Sequence, residues 1–446
     1  MLETISFHKI FVILHPKSKQ HDTMKTRKLI LLMAVIALTA TSCKKDLFDK
    51  DIYNGLVDYQ FMIDNTDPSH DWCLTKNDTI LLLAPDINLY SVQILTANPY
   101  TSTNAEIAAE GVCYGYQAEL TYTMPITQQT IYIAVLSNKG EYLGVTSVPY
   151  GTKELELSAD MLSHEGTLTK PTYQTFTYLY ECTFPMPDDF DYNDMVLRIT
   201  KSLPNVANSL QVDLTVKLEA AGADQLYAAA IQLPDFRYDE IEKVEIVSGE
   251  KMDKGYPLDR TFLTNSSTLF RGRQGQAVIG LFECAQWAFS KNQDDLGDIP
   301  LLRYNTAPSD KEDYSTTAAP VVTTYRITFK SREIARRLSF DRIDPFLLHM
   351  SDNGGIWEVH TYAHKFDEVT RSIYNGQESA YDNRVSWALV IPDGNFRYPI
   401  EGVAICRFSS ESGEIFGPYD YYVYWMQNQK VRQDWYLTPT RPQLCY

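Results

Sequence analysis

Apolar positions along this chain come in short runs, and many alternate with polar ones. Val212-Asp213-Leu214-Thr215-Val216-Lys217-Leu218 and Tyr325-Arg326-Ile327-Thr328-Phe329 repeat with period two, which predicts strands with one face buried. Glu154-Leu155-Glu156-Leu157 alternates in the same way. Ile80-Leu81-Leu82-Leu83 is a compact apolar run, and Ile131-Tyr132-Ile133-Ala134-Val135-Leu136 is β-branched and aromatic, with the turn signal Asn138-Lys139-Gly140 behind it. Phe176-Thr177-Tyr178-Leu179-Tyr180 is an aromatic-rich strand candidate. Ala277-Val278-Ile279-Gly280-Leu281-Phe282 has the continuous apolar character of a buried strand. Helix signals are few, the best being a short one over Arg332 to Arg337. No fixed-period repeat and no heptads occur. The predicted fold class is mainly β: a small N-terminal β-sandwich over 66–170, followed by a larger β-rich domain over 171–446.

One apolar run does not read as a strand. Leu29 to Leu38 follows the basic stretch Lys25-Thr26-Arg27-Lys28 and leads into Thr39-Ala40-Thr41-Ser42-Cys43. A membrane-spanning helix needs about 20 apolar residues, and Thr39 to Ser42 end the run before that. Basic head, short apolar middle and small residues before a cysteine form a secretory signal of the bacterial lipoprotein kind. Cys43 is then the expected first residue of the mature chain and the site of acylation, anchoring it to the outer membrane. Met24 is a better start than Met1, so 1–42 is set aside as upstream extension and signal peptide. Residues 43–65 read as a lipidated tether. Its opening, Lys44-Lys45-Asp46, is of mixed charge, which leaves the surface-exposed and periplasmic faces both open.

Charge narrows the partners. The chain of 446 residues carries 40 basic and 57 acidic side chains, a net charge of −17. The first 42 residues hold six of the bases and two of the acids, so cleavage leaves a more acidic protein still. That balance disfavours nucleic acid and anionic lipid surfaces as direct partners, and suits soluble exposure, divalent cations or basic partners. With 30 Tyr and 19 Phe the chain has the material for a sizeable core, and its length predicts two or three domains. Beyond Cys43 lie Cys73, Cys113, Cys182, Cys284, Cys406 and Cys445. None has the close spacing of a zinc site, and both disulfides and free buried thiols stay open.

The densest polar constellation is Asp188-Asp189-Phe190-Asp191-Tyr192-Asn193-Asp194. Oxygen side chains at Asp189, Asp191 and Asn193 alternate as a hard cation such as calcium requires, since it takes about six to eight oxygen ligands. The match to an EF-hand fails. Asp194 stands where Gly makes the sharp turn, and Thr200 where Glu binds bidentately. A site here must borrow ligands from elsewhere, with Glu181 the nearest good candidate. The other reading is an acidic turn whose Asp and Asn side chains bond their own backbone. His360 and His364 are four apart, but β-branched and aromatic neighbours suggest a strand, and the His-Glu-x-x-His order is absent. Packed or surface histidines are expected there.

No nucleophile elbow, Walker loop or dinucleotide fingerprint occurs; Gly272-Arg273-Gln274-Gly275 reads as a turn. Carboxylates are plentiful, but none stands out as half of a glycosidase pair. Asp78-Thr79-Ile80 has the form of a short O-glycosylation signal. The C-terminal aromatics, among them Trp387, Phe396, Tyr398, Phe416, Tyr419, Tyr421, Tyr422, Tyr424, Trp425, Trp435 and Tyr436, are expected mostly in the core. Some would serve as a sugar-stacking platform if exposed.

Four stretches between Tyr173 and Tyr436 resemble the LruC-domain lipoproteins, common in Bacteroidetes and found also in spirochaetes. They are Tyr180-Glu181 with Asp189-Phe190-Asp191-Tyr192-Asn193-Asp194-Met195-Val196; Leu218-Glu219-Ala220-Ala221-Gly222-Ala223 with Ile231-Gln232-Leu233-Pro234; Asp344-Pro345-Phe346 with Glu358-Val359-His360; and Ser386-Trp387-Ala388-Leu389-Val390-Ile391-Pro392 with Phe396-Arg397-Tyr398-Pro399-Ile400-Glu401, ending at Asp434-Trp435-Tyr436. The resemblance implies a mostly β envelope lipoprotein of no established enzymatic activity, with a β-domain ahead of the family domain. Where the family usually has Asp after the Glu, this chain has Cys182. Any cation site then relies on Glu181 and the later carboxylates.

Together these readings predict a non-enzymatic outer-membrane lipoprotein anchored at Cys43. Its expected role is binding, adhesion or structure at the cell envelope, toward a protein or glycan ligand. Calcium, at Glu181, Asp189, Asp191, Asn193 and Asp194, is the expected stabilising ion. The alternative is a glycan-active enzyme or a carbohydrate-binding component of a surface glycan system.

Overall fold

The computed structural model describes residues 66–446 apart from 85–90, 185–188, 208–209, 258–261, 264–266, 273, 293–295, 297–300, 308–314, 351–355, 362–385 and 409–412. The signal, Cys43, the tether and His364 lie outside the described residues.

Four larger sheets make the chain mainly β. In the first pair, a three-stranded sheet (Gln117–Pro125, Thr75–Leu83, Glu154–Glu156) accompanies a five-stranded one in the order Tyr142–Pro149, Thr130–Leu136, Ser91–Leu95, Glu106–Val112, Thr172–Tyr173. Their shared core takes Ile80, Leu82, Leu120 and Tyr122 from one sheet and Val92, Ile94, Ile131, Ile133 and Val135 from the other. Each such side chain contributes about 1.5–3 kcal/mol when fully withdrawn from water. Opposite register pairs Ile80 with Leu120 and Leu82 with Ala118, so one slipped residue would turn this apolar row to solvent.

The second pair is larger. One sheet runs Ile241–Ser248, Val321–Phe329, Gln211–Ala221, Met195–Ser202, Thr175–Tyr180, Ala388–Ile391, with Arg303–Tyr304 and Ser315–Thr316 attached at its side. The other runs Leu269–Arg271, Gln276–Phe282, Tyr227–Arg237, Asp344–Met350, Ile356–Val359. Period two holds along Val321–Phe329, where Thr323, Tyr325, Ile327 and Phe329 are buried. Val212, Leu214 and Val216 lie opposite Ile327, Tyr325 and Thr323. On the alternate positions Asp213 faces Arg326, and the two lock fork to fork at 2.8 Å and 2.8 Å. Hydroxyls stitch the two sheets: Tyr180 donates to the Pro345 carbonyl and Tyr325 to that of Leu281.

The expected short helix is a single turn, Arg332–Ala335, with the Ser331 hydroxyl accepting from Ile334 N at 3.3 Å. A longer helix, Asp420–Gln427, was not legible in the sequence. The start of the described chain straps across it: Asp67 N donates to Met426 O at 2.9 Å, and His70 Nε2 lies 3.0 Å from Trp425 O. No helix among the described residues is long and apolar enough to cross a membrane. The six cysteines beyond Cys43 are all free thiols. Thr79, in the glycosylation-like triplet, sits within Thr75–Leu83 with its hydroxyl 3.0 Å from that of Thr121.

Candidate metal centre

Strands Thr175–Tyr180 and Met195–Ser202 are antiparallel, with Tyr180 opposite Met195. Glu181 and Asp194 therefore leave the sheet side by side, and the acidic loop closes the gap between them. Its path is unusual, because Phe190 and Tyr192 both have positive φ, 55° and 57°. Such backbone costs roughly 1–3 kcal/mol per residue and persists only where the surroundings impose it. Here both rings are buried. Phe190 packs 5.5 Å from Trp387, and the Tyr192 hydroxyl donates to Ser386 O at 2.6 Å. Between these anchors the carboxylates converge: one oxygen each from Glu181, Asp189 and Asp191 comes within 4.8 Å of the others.

Glu181 is 0% exposed and Asp191 1%. Glu181 Oε1 accepts from Tyr192 N at 2.5 Å, while Oε2 has no hydrogen-bond partner. Asp191 accepts from Asn193 N at 3.0 Å and from Gly402 N at 2.9 Å. Asp194 Oδ2 takes Cys182 N at 2.6 Å. Asn193 donates from Nδ2 to Pro399 O at 3.2 Å, and its buried Oδ1 has no partner. A buried acceptor left unpaired costs about 1–3 kcal/mol, and this loop carries two.

Burial pushes the Glu181 carboxyl well above the carboxylate range, and the charges of Asp194, Asp189 and Asp191 add to it. Burial likewise raises Asp191, helped by Asp189, Glu401 and Asp194. Neither Glu181 nor Asp191 is in a salt bridge among the described residues. An oxygen-only donor set with two orphaned oxygens suits a hard cation. Zinc's preferred nitrogen and sulfur ligands are absent from this set.

The five residues singled out in the sequence thus share one loop and its flanks. Glu401 was missed. It enters from 210 residues beyond Asp191 on the same side, with its carboxyl pushed up to about 8 by burial, against the pull of Arg303 and with the push of Asp189 and Asp194. Its signal was present in the Phe396 to Glu401 stretch, but nothing in one sequence joins that stretch to the loop. Cys182 is buried, and its thiol meets Gln225 Nε2 at 3.4 Å.

The other candidates resolve into packing. His360 is fully buried between Asp344 (2.6 Å from Nδ1) and Glu358 (3.3 Å from Nε2), stacked on Phe346 at 4.5 Å. Those carboxylates hold its ring charged up to about pH 10 despite burial. Of the C-terminal aromatics, Trp387, Tyr398, Tyr419, Tyr422, Trp425 and Trp435 are buried, and Phe416, Tyr421 and Tyr424 are exposed.

The sequence profile of the family described as "Domain of unknown function (DUF4842)" matches residues 208–436. The chain belongs to this family. The DUF4842 region supplies Glu401 and Gly222, which follows the strand Gln211–Ala221 beside the loop, while Glu181 to Asp194 precede it. The candidate centre is therefore assembled across the N-terminal edge of the matched region. A solved protein from Bacteroides ovatus, provisionally named a lipoprotein, is similar at a TM-score of 0.47 and 12% identity, over 81% of this chain and 99% of that one. No curated protein matches the chain.

Proposed function

We propose that this DUF4842 chain is a lipid-anchored envelope protein with a binding, adhesion or structural role rather than a catalytic one. A calcium ion at Glu181, Asp189, Asp191, Asn193 and Asp194 would brace its β-rich body. The observation that carries this reading is the full burial of Glu181 and Asp191. A catalytic pair must meet substrate, whereas Glu181 and Asp191 are shut inside the protein and bonded to its own backbone. An open groove of about 430 Å³ elsewhere contains Asp78, Glu119 and Asp341. Asp78 is paired there with Lys153, and Asp341 faces Arg342 at 3.9 Å. Two of the groove's three carboxylates are thus held in ion pairs.

The signal ahead of Cys43, the acidic balance and the resemblance to LruC-domain lipoproteins support export and anchoring at the outer membrane. The ligand on this reading is an envelope protein or a glycan, and nucleic acid is disfavoured by charge. Two measurements test it. Metabolic labelling with an alkynyl fatty acid should mark the wild type and not Cys43→Ala. Calcium should raise the melting temperature of chelator-stripped protein; unlabelled wild type, or melting indifferent to calcium, would overturn the corresponding half.

A further inference from the structure

Resting on the cation reading above, we propose that Glu401 is a ligand of the same ion, so that the ion staples the acidic loop to the C-terminal cap of the fold. The segment from Pro399 to Ile405 runs along the loop and touches it three times. Pro399 O accepts from Asn193 Nδ2 at 3.2 Å, Gly402 N donates to Asp191 Oδ2 at 2.9 Å, and Ile405 N donates to Phe190 O at 2.9 Å. Glu401 lies between the first and second of these contacts, fixed by its own N–H to Thr306 O at 2.8 Å.

Its side chain is 11% exposed, and the two oxygens differ. Oε1 faces Arg303 Nε at 3.4 Å, but that nitrogen has a shorter bond to Gly222 O at 3.0 Å. Oε2 is buried and makes no well-formed hydrogen bond; the donor beside this carboxyl is the Thr306 hydroxyl, itself without a well-formed bond. The Asn193 amide oxygen, which has no partner, points to the same side: a Cβ built on Gly222 would lie 2.2 Å from it and 3.0 Å from Thr306. Asn193 Oδ1 lies against Gly222 and Thr306, and Thr306 O is the acceptor that fixes the Glu401 backbone, so both side chains come to the same flank of the carboxylate cluster. A hard cation takes such a set because it needs many oxygens and imposes little direction on them.

The consequence lies downstream. Tyr419 N donates to Ile405 O at 3.1 Å, opening the helix Asp420–Gln427, and the Tyr422 hydroxyl lies 3.4 Å from that of Tyr192. An ion gripping both Glu401 and the loop would hold this cap against the sheet, and its loss would free the cap before the sheet.

The test is calcium titration calorimetry on the full chain, wild type and Glu401→Gln, with hydrogen exchange of the 399–427 region with and without calcium. The expected result is one site in each, weakened on the order of 10-fold or more in the variant, and calcium-dependent protection of 399–427 in the wild type alone. Glu401→Asp, which keeps the charge on a shorter arm, should fall between them. Wild-type affinity in Glu401→Gln would overturn the staple and leave the cation reading standing. A wild type that takes up no calcium would overturn both.

Discussion

Glu181→Gln should change the sign of its effect with calcium. The substitution keeps Oε1, which accepts from Tyr192 N, and puts an amide donor where Oε2 has no partner. In chelator the wild-type carboxyl is held high by burial and by three neighbouring acids, so the neutral amide suits the site at least as well. It also removes the unpaired buried acceptor, which costs about 1–3 kcal/mol, and offers the neighbouring carboxylates a donor in its place. In chelator, then, Glu181→Gln should equal or exceed the wild type. Calcium at about 100 times its dissociation constant stabilises the wild type by about 2.7 kcal/mol. At about 2 °C per kcal/mol for a large domain, that is a rise of about 5 °C in Tm. The variant, lacking one charged ligand, should show little of it. Differential scanning fluorimetry of both proteins, in chelator and in millimolar calcium, gives four melting temperatures whose lines should cross or converge. A variant destabilised equally in both conditions would refute the reasoning, because Glu181 would then be only a packing group.

Gly222→Ala should destabilise by about 1–3 kcal/mol in urea denaturation, because a Cβ there would meet Asn193 Oδ1 at 2.2 Å and Asn193 O at 2.8 Å. His360→Gln should cost about 3–5 kcal/mol near neutral pH by leaving Asp344 and Glu358 without their buried cation. The folded pKa of His360 is raised, so its contribution is fully present below about 6.5 and is lost as pH rises through about 10. The gap between wild type and His360→Gln in urea melts should therefore narrow on the alkaline side. A gap constant from pH 7 to 10.5 would contradict that assignment.

The strands legible by alternation were those whose two faces differ, while Ala277–Phe282, buried on both faces, was legible only as a continuous apolar run. Val212 to Leu218 and Tyr325 to Phe329 alternate because one face of each packs inward while the other carries pairs such as Asp213 with Arg326. Tyr227–Arg237 gave no such signal. It is a central strand between Gln276–Phe282 and Asp344–Met350, buried from Tyr227 through Leu233, and its Ala228-Ala229-Ala230 has no β preference of its own. The helix Asp420–Gln427 is written Asp-Tyr-Tyr-Val-Tyr-Trp-Met-Gln, β-like residues that tertiary packing around Trp425 and Trp435 overrides. In the candidate centre, the local spacing of oxygen side chains pointed to the loop and to Glu181. The burial of those carboxylates, and the arrival of Glu401, depend on long-range pairing that no local pattern encodes.

The most direct test of the central claim is a count of bound ions. Chelator-stripped wild-type protein, dialysed against calcium and assayed by elemental analysis, should hold one calcium per chain and release it to chelator, with Glu181→Gln and Asp191→Ala holding less. Wild type emerging without calcium, or all three proteins holding the same amount, would contradict the account.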